Sequence, residues 1–141
     1  MKKSWLLFIS ASILGIFLLS SFLTNTASSV DIGDPADQQV FLYEHTNYGG
    51  ANMSFTVGTK VADLRQWRLP NSKKNWNDVI SSIKVGKRAR IILYKHIDFK
   101  EELITIDADC QNIKYFPNLH SYGWGDDISS FEIKDAKCAL K

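Results

Sequence analysis

From Gln39 onward, apolar and polar residues alternate with a period of two, the signature of half-buried β-strands. Val40 and Leu42 start the pattern, and Met53, Phe55 and Val57 resume it after a turn. Between them Asn47-Tyr48-Gly49-Gly50 is a hairpin signal, with glycines free to take positive φ. Ile80, Ile83 and Val85 mark a further strand. Ile91 to Tyr94 open a second hairpin, Leu103, Ile104 and Ile106 return it, and Ile128, Phe131 and Ile133 mark the last strand. Val61 to Trp67 has apolar spacings of three to four, but Pro70 follows closely, which predicts a turn or two rather than a structural helix.

The pattern occurs twice. Val40-Phe41-Leu42-Tyr43-Glu44-His45 matches Ile91-Ile92-Leu93-Tyr94-Lys95-His96. Trp76-Asn77-Asp78-Val79-Ile80-Ser81-Ser82-Ile83 matches Trp124-Gly125-Asp126-Asp127-Ile128-Ser129-Ser130-Phe131. The offset is 51 residues for the first pair and 48 for the second, so the halves differ mainly in a middle loop. A unit of about four short strands cannot cover its own apolar face, whereas two units packed together bury one core. The expected architecture is all-β: a β-sandwich of two Greek-key motifs with about eight strands. Greek key one spans 39–87, Greek key two 88–135, and a C-terminal tail 136–141.

Lys2 and Lys3 precede an apolar run from Trp5 to Leu23, and Ala27-Ser28-Ser29 offers a small-residue cleavage site. Residues 1–29 therefore read as a secretory signal, with an uncleaved membrane anchor as the alternative. Residues 30–38 read as a turn-rich linker. Removing the signal leaves about 112 of the 141 residues, one domain of ordinary size. This part has 15 Lys+Arg and 15 Asp+Glu, a balance that excludes nucleic acid as an expected partner. Cys110 and Cys138 are the only cysteines. In an exported chain they pair by default, with two unpaired thiols as the alternative, and a bridge would tie the tail to the body, adding about 3 kcal/mol in the chain-entropy model.

Tyr43-Glu44-His45-Thr46-Asn47-Tyr48-Gly49-Gly50, followed by Asn77-Asp78-Val79-Ile80-Ser81-Ser82 and then by a second copy in the same order, resembles the βγ-crystallin family. The likeness is to microbial members and covers nearly all of residues 39–134. It implies a two-Greek-key sandwich holding two Ca2+ ions, each shared between the units. Carried over residue by residue, the side-chain ligands are Asp78 and Ser81, and Asp126 and Ser129. Carbonyl ligands come from Asn77 and Gly125, and from near Glu44 and Lys95. Such oxygens suit a hard cation that takes six to eight donors, and the low formal charge places affinity at about 10⁻⁶ to 10⁻³ M. The second unit departs from the pattern twice: Gly125 replaces an Asn or Asp, and Glu101 stands where the hairpin glycine of the first unit, Gly50, would fall.

The same residues have plainer readings. Ser and Asp before a strand cap turns by local hydrogen bonds. Asp127 reads as a solvated extra carboxylate, and Trp76 and Trp124 as core pieces. His45, His96 and His120 lack metal-ligand spacing, and Lys87-Arg88-Ala89-Arg90 reads as a solvated linker face. The sequence has no nucleophile elbow, phosphate loop or HExxH helix. The expected function is that of a secreted, non-catalytic calcium-binding domain. A rival is a secreted interaction module, an inhibitor or adhesin with a cell-surface or protein partner, for which an exposed hydrophobic patch or an ordered middle loop 65–77 would speak. An enzyme would need a deep pocket with convergent titratable groups.

Overall fold

The structure, a computed structural model, describes residues 32–138. The expected signal or anchor, and the last three residues of the tail, lie outside the described residues. Eight strands follow in chain order: β1 Gln39–Tyr43, β2 Asn52–Thr56, β3 Lys60–Val61, β4 Ser82–Val85, β5 Ala89–His96, β6 Lys100–Asp107, β7 Lys114–Phe116 and β8 Ser130–Asp135. They form two four-stranded antiparallel sheets, ordered β2-β1-β4-β7 and β3-β8-β5-β6.

This order shows an exchange. The short third strand of each unit leaves its own sheet and completes the other. β3 of the first unit pairs with β8, Val61 opposite Phe131. β7 of the second pairs with β4, Phe116 opposite Ile83. Val61 therefore stands in a strand, because a cross-unit ladder outweighs the helical spacing of its neighbours. The rest of that spacing yields one 3-10 turn, Leu64–Gln66.

The alternation places Val40, Leu42, Ile83 and Val85 of one sheet against Ile91, Leu93, Phe131 and Ile133 of the other, all fully or almost fully buried. Phe55 of β2 meets Phe131 of β8 edge-to-face across the core, centroids 5.0 Å apart. Trp76 is completely buried. Its counterpart Trp124 is half-buried, packed on the core's rim and stacked against Tyr122 at 4.8 Å.

Residues 33–38 lie along the outer face of the first sheet. Arg88 donates its N–H to Asp37 O (2.7 Å), Lys84 Nζ donates to Gly33 O (2.8 Å), and Pro35 is buried. Gly86 lets this segment approach: a Cβ there would lie 2.1 Å from Ala36 O. Of the basic run at the unit junction, Arg88 is exposed, whereas Arg90 pairs with Asp107 across the β5–β6 ladder and is largely buried.

Cys110 and Cys138 form a disulfide with a Cα–Cα distance of 5.7 Å. It ties the β6–β7 loop to the segment after β8. In that loop the Asp109 carboxylate accepts from the Gln111 and Asn112 N–H groups and from Lys114 Nζ, which hold its pKa well below the usual carboxylate range. The eight described strands, the buried core and the bridge all lie within 32–138, where they make a complete two-sheet sandwich around one core. Reducing the bridge should remove about 3 kcal/mol and lower Tm by roughly 10 °C or more in melts with and without dithiothreitol. An unchanged Tm with two thiols titrated would show that the bridge adds nothing.

Candidate metal centre

The β1–β2 hairpin folds back on a strained tip. Asn47, Tyr48 and Gly50 have φ of 55°, 61° and 73°. The left-handed region costs a non-glycine residue roughly 1–2 kcal/mol, so the tip needs holding. Ser82 holds it: its buried hydroxyl donates to His45 O (2.6 Å) and accepts from Tyr48 N (3.0 Å). The second unit repeats the device atom for atom. Asp98 and Phe99 have φ of 58°, Ser130 Oγ donates to His96 O (2.6 Å), and Phe99 N donates to Ser130 Oγ (3.2 Å). The equivalent histidines thus contribute carbonyls to structure.

Glu101 adopts the conformation of its glycine counterpart, with φ of 56°. Its carboxylate lies 3.2 Å from His96 Nε2 and 3.9 Å from Lys95 Nζ. At Gly50 a Cβ would stand 2.8 Å from the His45 ring and 3.0 Å from Glu44 Oε2. With the same backbone conformation, the second hairpin carries a side chain at the position where a Cβ in the first would crowd His45 and Glu44.

The loops before β4 and β8 cross each other. Asp78 N donates to Ile128 O (3.1 Å) and Asp126 N to Ile80 O (3.4 Å), and both aspartates have positive φ. Each carboxylate consequently reaches the other unit's serine. Asp126 Oδ1 lies 3.3 Å from Ser81 Oγ, and Asp78 Oδ1 lies 3.4 Å from Ser129 Oγ. The serines are fixed by their backbones, Ser81 N to Tyr43 O and Ser129 N to Tyr94 O, both 3.0 Å. Their carbonyls accept from Leu119 N and Leu64 N, the first residues of equivalent 3-10 turns.

Around Ser81 Oγ three further oxygens converge: Glu44 O at 2.7 Å, Val79 O at 3.2 Å and Asp126 Oδ1 at 3.3 Å. One hydroxyl proton cannot satisfy three acceptors. Such a surplus of oxygen lone pairs is what a hard cation requires. Lys95 holds in the second hairpin the place that Glu44 holds in the first. Asn77 is half-buried; its side-chain amide donates to Asp78, while its Oδ1 is buried without a hydrogen-bond partner. Among the described residues no three His, Cys, Asp or Glu side chains converge, so any metal here must be held largely by hydroxyl and carbonyl oxygen.

The two places are not alike. Glu44, Ser81, Asp78 and Asp126 line an open depression of about 500 Å³, together with His45, Thr46, Lys74 and His120. Ser129 and Asn77 line another of about 400 Å³ with Arg65, Lys100 and His96, a cationic surrounding. Asp127 is not simply solvated: its carboxylate pairs with Lys95 Nζ at 3.3 Å. His120 lies over Gly125, where a Cβ would stand 2.3 Å from Nδ1. The glycine that departs from the repeat is thus the space the imidazole occupies. Partial desolvation raises the pKa of Asp78, which stays largely exposed, aided by the charges of Asp127 and Asp126 and opposed by the Ser129 hydroxyl.

These features can be set beside known proteins. The chain is 35% identical to spherulin-3A of Physarum polycephalum over 101 residues, 72% of this chain and 86% of that protein. The NMR structure of spherulin 3A superposes with a TM-score of 0.53 at 29% identity, covering 76% of this chain and 92% of that one. A structure from work on the evolution of the eye-lens βγ-crystallin domain fold gives a TM-score of 0.60 at 30% identity, covering 74% and 93%. The βγ-crystallin domain of Abundant Perithecial Protein from Neurospora crassa, solved in its Ca2+-bound form, shares the fold at 20% identity and a TM-score of 0.51, covering 73% and 94%. No family model matches the chain. The chain belongs to the βγ-crystallin family.

The staple itself is testable. Ser82→Ala leaves His45 O and Tyr48 N unpaired, and should destabilise the domain by about 1–3 kcal/mol in urea unfolding. Ser130→Ala should cost a similar amount, since its partners are equivalent. A cost within a few tenths of a kcal/mol for both would mean that water replaces the hydroxyl.

Proposed function

We propose that the protein is a secreted, non-catalytic calcium-binding domain in which up to two Ca2+ ions tie the Greek keys together. The observation that carries this is the convergence of Glu44 O, Val79 O and Asp126 Oδ1 on Ser81 Oγ, mirrored by Asp78 at Ser129. One ion would be held by Ser81 and the Glu44 carbonyl of the first unit with Asp126 of the second. The other would be held by Ser129 and the Lys95 carbonyl with Asp78, while the Asn77 and Gly125 carbonyls complete the shells. Bound calcium would supply the positive charge that these oxygens lack and would lock the loop crossing. The Neurospora crassa domain supports calcium as compatible with this fold. The disulfide supports an oxidising compartment. A non-catalytic role is supported by the serine hydroxyls, which face carbonyl and carboxylate oxygens rather than a histidine base.

The sites should load unequally. The first has Glu44, Asp78 and Asp126 on its wall against Lys74; the second has Arg65 and Lys100, and Asp78 reaches it only through its contact with Ser129. Cations close to a cation site weaken it through Coulomb repulsion. Calorimetric titration of Ca2+ into the chelator-treated domain should therefore resolve a tighter and a weaker event. Asp126→Asn should abolish the tighter one, and Asp78→Asn the weaker. Heat traces unchanged by either substitution would remove this ligand assignment, and no heat at all would remove calcium.

Asp78 also has a sign in the metal-free domain. Its folded pKa is raised above the unfolded value, so its contribution to stability is full below the unfolded pKa and is lost as pH rises through the folded one. At neutral pH this partly desolvated carboxylate is then unfavourable without calcium. Asp78→Asn should leave the chelated domain at least as stable as the parent, yet reduce the Tm gain that calcium gives. A lower Tm in chelator would show that the carboxylate is needed for folding itself.

A further inference from the structure

The first Greek key carries an insertion that the second lacks. Asp63 and Asn118 cap equivalent 3-10 turns, but twelve residues lie between Asp63 and Trp76 and five between Asn118 and Trp124. The extra residues form a small hairpin over residues 67–76. Trp76 N donates to Trp67 O (2.9 Å), Leu69 N to Lys74 O (3.1 Å), and Arg68 bridges to Asn75. Leu69 and Trp76 are buried and hold the hairpin to the body.

Its remaining surface faces outward. Residues 65–68 and 70–74 are all exposed, and residues 64–75 contain Arg65, Arg68, Lys73 and Lys74 with no Asp or Glu. Arg65 is held by Asp63 and keeps that carboxyl at about 2. Arg68, Lys73 and Lys74 have no carboxylate partner among the described residues. Beside them Trp67 leaves 42% of its surface exposed, its ring set edge-on against Phe55. The even balance of charge over the whole domain conceals this cluster.

The hairpin sits at the pole of the calcium loops: its last residue runs into Asn77 and Asp78, and Lys74 lines the depression that holds Asp126. The incoming chain lies towards the same pole. Residues 33–37 run back along β4 from Gly86 towards Lys84, and Asp34 there interacts with Tyr115 and with Tyr48, the residue stapled by Ser82.

We propose that the hairpin 67–76 is a docking surface for an anionic phospholipid bilayer, with Arg68, Lys73 and Lys74 meeting headgroup phosphates and Trp67 seated at the interface. The charge is complementary, and an amphipathic indole ring flanked by cations is the chemistry that favours the headgroup level. Binding of this kind needs no calcium.

The test is co-sedimentation of residues 30–141 with phosphatidylcholine vesicles, with and without phosphatidylglycerol, in chelator. The domain should bind only the anionic vesicles, more weakly as salt rises, with a blue shift of tryptophan emission that Trp67→Phe removes. The triple variant R68S/K73S/K74S should lose binding by roughly a hundredfold. Its Tm should match the parent, because these side chains are exposed. Equal binding by parent and triple variant, or no binding by the parent, would overturn the proposal. Retention on heparin without vesicle binding would overturn the bilayer assignment in favour of a soluble polyanion.

Discussion

Two backbone hydrogen bonds, Asp78 N to Ile128 O and Asp126 N to Ile80 O, hold the structure's chemistry in place. They cross the loops of the two Greek keys, so each carboxylate arrives at the other unit's serine. Without the crossing, Ser81 and Ser129 would each face only their own hairpin carbonyls. With it, neither oxygen cluster belongs to one repeat. The crossing in turn requires both loops at the same height above the sheets, which the paired serines secure: Ser81 and Ser129 by backbone contact with β1 and β5, Ser82 and Ser130 by their hydroxyls.

Much of this was legible in the residues. The alternation of Val40 and Leu42, repeated at Ile91 and Leu93, marks the inner faces of two sheets, and the duplicated Ser-Ser phrase marks the two loops. The cysteine pairing required no geometry, as the chain has only two. What was not legible is what depends on distance in space. No local signal places Asp126 beside Ser81 rather than Ser129, since that follows from the crossing. Nothing in the spacing shows His120 above Gly125, so the glycine reads as a defect until the imidazole is seen in its place. Asp127 reads as solvated because its partner, Lys95, belongs to a hairpin about thirty residues away. Val61 reads as helical because its true partner is Phe131, in the other repeat.

The repeats have also diverged in electrostatics. Tyr43 and Tyr94 are equivalent, yet the first stands near the buried Lys84 and the second near the buried Glu132, which Lys60 and Lys134 hold as a carboxylate with a lowered pKa. The outer faces of the sheets thus carry opposite buried charges at one repeat position. The same divergence is seen at the crossed loops, where Glu44, Asp78 and Asp126 line one depression and Arg65 and Lys100 the other. A shared backbone has been kept while the charge at equivalent places has changed sign.

The exchange of β3 and β7 has a consequence for how such a chain can change over generations. Duplicated modules usually gain the freedom to drift apart, because one copy can fail while the other persists. Here each copy supplies a structural part of its sibling: Val61 lines the sheet that β5, β6 and β8 build, and Phe116 lines the sheet of β1, β2 and β4. Neither copy can be deleted, transplanted or inherited alone as a folding unit. The two are obliged to descend together, and divergence is confined to surfaces, loop lengths and insertions such as the hairpin before Trp76.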